Sequence, residues 1–131
     1  MFRGIPSDQI DAVWPEIKHL IAEACKGSGN YTADDIKWSV QKREMQLWVY
    51  GLEAVCVTAI ANYPQKKRLR ILIGTGKGRH NWQHHALTLE AWAREQGCTG
   101  GESIAREGWW RAVFRALGWR KTHIFIEKDF L

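Results

Sequence analysis

Residues 68–82 read RLRILIGTGKGRHNW, and this stretch decides the fold. Its first half is rich in aliphatic and β-branched residues, which predicts a strand from Arg68 to Gly74. A glycine-rich turn follows, and from Trp82 apolar residues recur at helical spacing until Gly97 ends the pattern. The stretch therefore predicts a strand, a turn and a helix.

The turn has the physical features of a phosphate site. It lies between a strand and the start of a helix, where unpaired backbone N–H groups and the positive end of the helix dipole meet. Lys77, Arg79 and His80 would add charge there, and the glycines would let a ligand approach the backbone closely. The alternative is a turn that needs glycine only for its backbone angles.

The neighbouring segments extend this unit into a sheet. Two antiparallel strands, Met45 to Tyr50 and Ala54 to Tyr63, precede it and form a hairpin. A short strand, Cys98 to Ile104, follows the helix, and a strand–helix–strand crossover makes it parallel to the strand Arg68 to Gly74. We expect these two parallel strands to splay apart at one end.

Helices and one more strand complete the prediction. An amphipathic helix covers Ile10 to Cys25, where Pro15 predicts a kink or two abutting helices. Thr32 begins a second helix, Trp109 to Leu117 form the last one, and Arg120 to Phe130 are expected to close the chain as a strand. The expected fold is α/β (α+β), with the order αα-βββ-α-β-α-β, a mixed central sheet with helices on both faces, and one domain over residues 1–131.

Composition narrows the function classes. No apolar run reaches the length of a membrane helix, so we expect a cytoplasmic protein. The three cysteines are far apart in the sequence, which predicts buried thiols. The histidines at positions 80, 84 and 85 have no further metal ligands nearby, so we expect no metal site. We expect these histidine side chains to be exposed or to face a phosphate. The net charge of +5 suits a phosphate-bearing ligand, with a nucleic-acid surface as the less favoured alternative.

Segments distributed over the whole chain resemble one family. They are VWPEIKHLI, YTADDIKWSV, MQLWV, a stretch ending in NYP, ILIGTGKGRHNW, LEAWAREQGC, GWWRAVFRALGWR and a closing EKDF. In this order they resemble the GNAT N-acetyltransferases, and more narrowly small GNAT-like proteins encoded by bacteriophages and prophages.

The resemblance implies acetyl-CoA as the co-substrate. The strand edge that pairs with the pantetheine arm would be Leu72, Ile73 and Gly74. The turn that holds the pyrophosphate would be formed by Gly74, Thr75, Gly76, Lys77, Gly78, Arg79 and His80. Phe114 stands where many members carry the tyrosine that protonates the leaving thiolate.

Two residues are candidates for the proton transfers. Glu102, on the predicted strand Cys98 to Ile104, could act as general base toward the attacking amine, directly or through water. Tyr63 could replace the missing acid, although its neighbouring proline is equally typical of a structural turn. Glu53 and Glu107 fall in or near predicted turns, where we expect solvated carboxylates.

Three functions remain open. The first is acetyl-CoA-dependent N-acetyl transfer to an amine of a protein or small molecule. The second is a catalytically inactive GNAT-fold protein that contacts phage or host proteins, in the host cytoplasm or in the virion, and the third is a nucleic-acid-binding module. The resemblance also implies a homodimer, while nothing in the sequence identifies the acceptor.

Overall fold

A computed structural model describes all residues, 1–131, and contains one five-stranded sheet in the order β1-β2-β3-β4-β5. The strands are β1 (Phe2–Ile5), β2 (Gln46–Tyr50), β3 (Ala54–Asn62), β4 (Lys67–Gly76) and β5 (Gly100–Ser103). The first four are antiparallel neighbours, and β5 is parallel to β4. The mixed sheet and the parallel pair confirm the sequence prediction.

Four helices surround the sheet. They are α1 (Ile10–Cys25, after a 3-10 turn at Ser7–Gln9), α2 (Ala33–Gln41), α3 (Trp82–Glu95, after a 3-10 turn at Arg79–Asn81) and α4. The last begins as Glu107–Trp109, continues as a π-helical segment over Trp110–Phe114 and ends in a 3-10 turn at Arg115–Leu117. The α1 helix continues through Pro15 as one element. Thr32 and Asp35 cap α2 reciprocally, side chain to backbone.

Successive residues of the strands point to opposite faces, so the sheet separates two hydrophobic cores. In β2, Leu47 and Val49 pack under α1 and α2, whereas Trp48 between them packs against the face that carries α3 and α4. The helices on both faces therefore follow from strands that are apolar on both sides. No helix combines the length and the apolar character that a membrane crossing requires.

The ends of the chain differ from the prediction. β1 was not expected; it pairs with β2 from Phe2↔Tyr50 to Ile5↔Leu47 and adds an edge strand. The strand predicted from Arg120 to Phe130 is wrong, because residues 120–131 form no strand and are exposed. A strand requires a partner for its backbone groups, and this segment pairs with no strand of the sheet.

Candidate active site

The two parallel strands share only part of their length. β5 pairs with the first half of β4, from Arg68↔Gly100 to Ile71↔Ser103. β4 then continues to Gly76, so from Leu72 onward its edge on the β5 side has no strand partner. The pairing ends at this point and leaves a row of β4 backbone groups available to a ligand; that the two strands also splay apart stays a prediction.

A β-bulge lies at the point where this pairing ends. On the other edge of β4, Val57 pairs with Ile73 and Thr58 pairs with Ile71, so Leu72 is the extra residue. Bulges turn the strand and increase its twist. The Ser103 hydroxyl donates a 2.8 Å hydrogen bond to the Ile71 carbonyl, which fixes the end of β5 at the bulge.

Three polar side chains meet beside this bulge. The Tyr63 hydroxyl donates to Glu102 Oε2 over 2.8 Å, and Arg70 Nε donates to the same oxygen over 3.1 Å. Arg70 Nη2 also donates to the Tyr63 hydroxyl oxygen over 3.1 Å, which closes a three-membered ring of hydrogen bonds. The two residues that the sequence suggested as base and acid are therefore in direct contact.

The sheet brings these residues together. Arg70 and Glu102 are register partners on β4 and β5, so their side chains share one face. Tyr63 follows β3, and its backbone N–H bonds the Lys66 carbonyl over 2.8 Å, which closes the turn into β4. The side chains stay accessible, with 45% of Arg70 and 32% of Glu102 exposed.

From the sequence, Arg70 is one of the basic residues considered for a nucleic-acid surface, and its place beside Glu102 was not predicted. Its hydrogen bond with Tyr63, and next the one with Glu102, raise its pKa above the ordinary arginine value. The guanidinium is therefore a permanent cation that orients both neighbours. No sequence signal marks this role, because the pairing of Arg70 with Glu102 depends on the register of β4 with β5.

A groove of about 750 Å³ runs along the outer side of β5. Tyr63 and Glu102 line it, and so do Gly100, Trp119 and the start of the C-terminal segment. No residue of the glycine-rich turn does. From Arg70 to Gly74 is about 13 Å along β4 at the usual rise per residue, so the polar cluster and the turn lie at different positions along one strand.

One glycine of the turn, Gly76, is required by the packing of the backbone. Gly76 has φ +111°, and a Cβ at this position would overlap the Glu53 carbonyl and lie 2.6 Å from the Cα of Ala54. The next N–H, of Lys77, donates to the same Glu53 carbonyl over 2.8 Å. Gly76 is thus required by packing against the β2–β3 turn, and the Lys77 N–H is not free for a ligand.

The rest of the turn remains open. Gly78 is left-handed, with φ +75°, and leads into the first turn before α3. The side chains of Lys77, Arg79 and His80 are exposed, and Thr75 is half-buried. Lys77 and Arg79 form no ion pair. The predicted charge at this helix start is therefore present and unpaired.

Two tryptophan rings lie beside the unpaired end of β4. A Cβ on Gly74 would lie 3.4 Å from Trp82 and 3.7 Å from Trp109, and these two rings pack edge to face at 5.1 Å. Trp110 instead lies under the cations of Arg115 and Lys121. Of the two adjacent tryptophans, Trp109 is the one beside the end of β4.

Phe114 is in the core. It is buried, 7% exposed, and packs on Trp119 with ring centroids 4.7 Å apart. Neither an acid nor a polar group stands at this position, so any proton for a leaving group has to come from elsewhere.

The histidines divide into two kinds. His80 and His84 are exposed, as expected, but His85 is 4% exposed, which corrects the expectation of a solvent- or phosphate-facing side chain. Its ring stacks on Phe2 at 4.3 Å, and its Nε2 is buried without a hydrogen-bond partner. Burial, followed by repulsion from His84, lowers the pKa of His85 below 6.5.

We predict that acid destabilises the fold through His85. Its pKa is lower in the folded than in the unfolded chain, so the stabilising effect of the neutral ring is complete above pH 6.5 and is lost as the pH falls below it. The free energy of unfolding should fall by up to about 1.4 kcal/mol per pH unit in this window. Urea unfolding at pH 7.5 and 5.5 measures it, and His85→Phe should reduce the difference; an unchanged difference would contradict the assignment.

Comparison with known proteins identifies solved structures that have the same fold. No family model matches the sequence, and no curated protein does. Among solved structures, the chain is similar to a GCN5-related N-acetyltransferase from Ralstonia eutropha, with 17% identity, a TM-score of 0.70 and coverage of 98% of this chain and 97% of that one. A predicted acetyltransferase from Clostridium acetobutylicum, solved with acetyl-CoA, shows 12% identity, a TM-score of 0.67 and 98% and 95% coverage.

A third similar structure is an aminoglycoside acetyltransferase from an uncultured soil metagenomic sample, in complex with sisomicin. It shares 11% identity with a TM-score of 0.68, covering 100% of this chain and 96% of that one. Similarity at these identities concerns the fold. The chain therefore has the mixed α/β fold of the GNAT acetyltransferases over its whole length.

Proposed function

We propose that this single-domain protein transfers an acetyl group from acetyl-CoA to an amine. The observation that carries the proposal is the hydrogen-bonded cluster of Tyr63, Arg70 and Glu102 beside the bulge where the pairing of β4 with β5 ends. A carboxylate and a phenol held together at an open strand edge are suited to moving a proton. In a fold shared with acetyltransferases, this is the function that the geometry supports best.

The residues present fit acetyl-CoA along β4. The unpaired edge of Leu72, Ile73 and Gly74 offers backbone groups to an extended amide-containing arm. The exposed cations of Lys77 and Arg79, before the start of α3, suit a pyrophosphate, with Thr75, Gly76, Gly78 and His80 forming the rest of the turn. Because the Lys77 N–H is bonded to Glu53, the phosphate contacts would come from later N–H groups and from the side chains.

The transfer requires one proton to leave the amine and one to reach the thiolate. Acetyl-CoA supplies the acetyl group; the C–S bond breaks as the N–C bond forms. Glu102 would accept the proton of the attacking nitrogen, directly or through water, and Tyr63 would return a proton to the sulfur, since Phe114 cannot. Arg70 holds both groups in position.

Part of the proposal rests on the resemblance of the sequence alone. It includes an origin in a phage or prophage, an association with the virion and a homodimer, whereas a cytoplasmic location is proposed from the lack of a membrane-length apolar run. The second candidate function is a GNAT-fold protein without catalysis that contacts phage or host proteins. Phe114 favours this candidate, because it is buried and supplies no proton at the position where many family members carry a tyrosine.

Acetyl-CoA should raise the melting temperature. A ligand that binds only the native state stabilises it by mass action, by about 2.7 kcal/mol at a hundredfold excess over Kd. Reversing both charges in Lys77→Glu/Arg79→Glu should abolish the shift in a thermal melt, because the turn would then repel the pyrophosphate.

The matched control is Lys18→Glu/Arg3→Glu, which makes the same change of charge at exposed positions outside the turn. It should keep the shift. Equal loss in both double variants would indicate a general effect of net charge, and no shift in the wild type at millimolar acetyl-CoA would favour the protein without catalysis.

A further inference from the structure

One arginine in the groove beside β5 lacks a partner. Arg68 forms no ion pair and no side-chain hydrogen bond, and it is half-buried. Its guanidinium lies against Gly100, where a Cβ would come within 3.0 Å of its central carbon and would overlap one of its terminal nitrogens. Glycine at this position leaves the space that the side chain occupies, so a cation is held at the groove wall with its donors unused.

Arg68 lies on the same sheet face as the proposed reaction centre. It pairs with Gly100, and Arg70 pairs with Glu102, two residues further along both strands. Side chains two residues apart on a strand share a face, and their Cα atoms are about 7 Å apart. A small molecule that places its amine at Glu102 therefore extends within reach of the Arg68 guanidinium.

The charges that face this groove are unequal. Its acidic side chains are already paired, Glu102 with Arg70 and Glu90 with Arg94. Two exposed cations without ion-pair partners, Lys66 and Arg120, line the groove together with Arg68. The cations that line the groove therefore include unpaired ones, whereas its carboxylates are all in ion pairs, and this favours an anionic ligand.

We propose that the acceptor is a small primary amine that also carries a carboxylate or phosphate, and that Arg68 binds this acidic group. The proposal rests on the proposed acetyl transfer and specifies its substrate class. A planar guanidinium can bind either anion through two parallel hydrogen bonds, which fixes the molecule as well as attracting it. Polycationic acceptors such as aminoglycosides are disfavoured by the same charges.

The test compares matched pairs of amines. L-Phenylalanine against phenethylamine examines the carboxylate, and O-phosphoethanolamine against ethanolamine examines the phosphate, each followed by release of free CoA. We expect kcat/KM to favour the acidic member of at least one pair by about tenfold or more, the usual strength of hydrogen bonds to a charged group. Arg68→Gln should reduce this preference about tenfold, and Arg3→Gln, at the opposite edge of the sheet, should keep it.

A binding experiment separates this inference from the acetyl transfer on which it rests. N-Acetyl-L-phenylalanine and N-acetylphenethylamine are titrated while NMR follows the Gly100 and Gly101 amides. Shifts caused by the acid alone and lost in Arg68→Gln support the anion site even if no amine is acetylated. Equal effects of both compounds, or a preference that survives in Arg68→Gln, overturn the proposal whatever the turnover.

Discussion

Glu102→Gln should lower kcat for acetyl transfer by about 10² to 10⁴-fold, the usual contribution of a positioned general base. Glutamine has nearly the same shape and can still accept the hydrogen bonds from Tyr63 and Arg70 on its amide oxygen. It cannot take a proton from the amine, so the geometry is retained while the proton transfer is lost. Release of free CoA at saturating acetyl-CoA measures the effect.

The control is Glu44→Gln, which changes an exposed glutamate in the turn before β2. It should leave kcat unchanged. Tyr63→Phe completes the set, because it removes the hydroxyl that donates to Glu102 and accepts from Arg70. If Glu102→Gln retains full kcat with an unaltered melting temperature, the carboxylate is not the base and the proton goes directly to water.

The centre of the fold could be predicted from the sequence because its signals are local. A strand, a glycine turn and an amphipathic helix follow one another in residues 68–95. The strand and the helix are recognised by the spacing of their apolar residues, and the turn by its glycines. The parallel arrangement of β4 and β5 then follows from the handedness and length of the crossover. These are properties of contiguous segments.

The ends of the chain could not be predicted in this way. β1 has only four residues, and Gly4 looks unsuited to a strand until the Trp48 ring is placed 3.4 Å from where its Cβ would be. Conversely, residues 120–130 carry strand-forming side chains but pair with no strand, although the outer edge of β5 is open. Strand formation depends on a partner that is remote in sequence, so pattern alone adds one strand and omits another.

The candidate site shows the same limit. Glu102 and Tyr63 were identifiable as residue types near strand ends, but they are 39 residues apart, and their contact depends on the register of β4 with β5. Arg70 joins them only once that register is known. His85 was misjudged for a similar reason, because Phe2 of the unexpected β1 covers its ring.

Gly76→Ala should destabilise the fold by about 2–4 kcal/mol and lower the melting temperature by roughly 10 °C. Its φ of +111° is outside the range that alanine adopts easily, and the added methyl group would overlap the Glu53 carbonyl. The turn would have to move away from the β2–β3 connection, which also breaks the hydrogen bond from Lys77 to Glu53.

The matched control for Gly76→Ala is Gly29→Ala. Gly29 also has a positive φ, +71°, but its Cβ would meet nothing within 4 Å, so only the backbone strain of about 1 kcal/mol remains. Urea unfolding of both variants separates the strain from the overlap. Equal destabilisation would mean that the glycine is needed for its backbone angles alone. A larger loss in Gly76→Ala would mean that close packing on the β2–β3 turn fixes the backbone at this end of the glycine-rich turn.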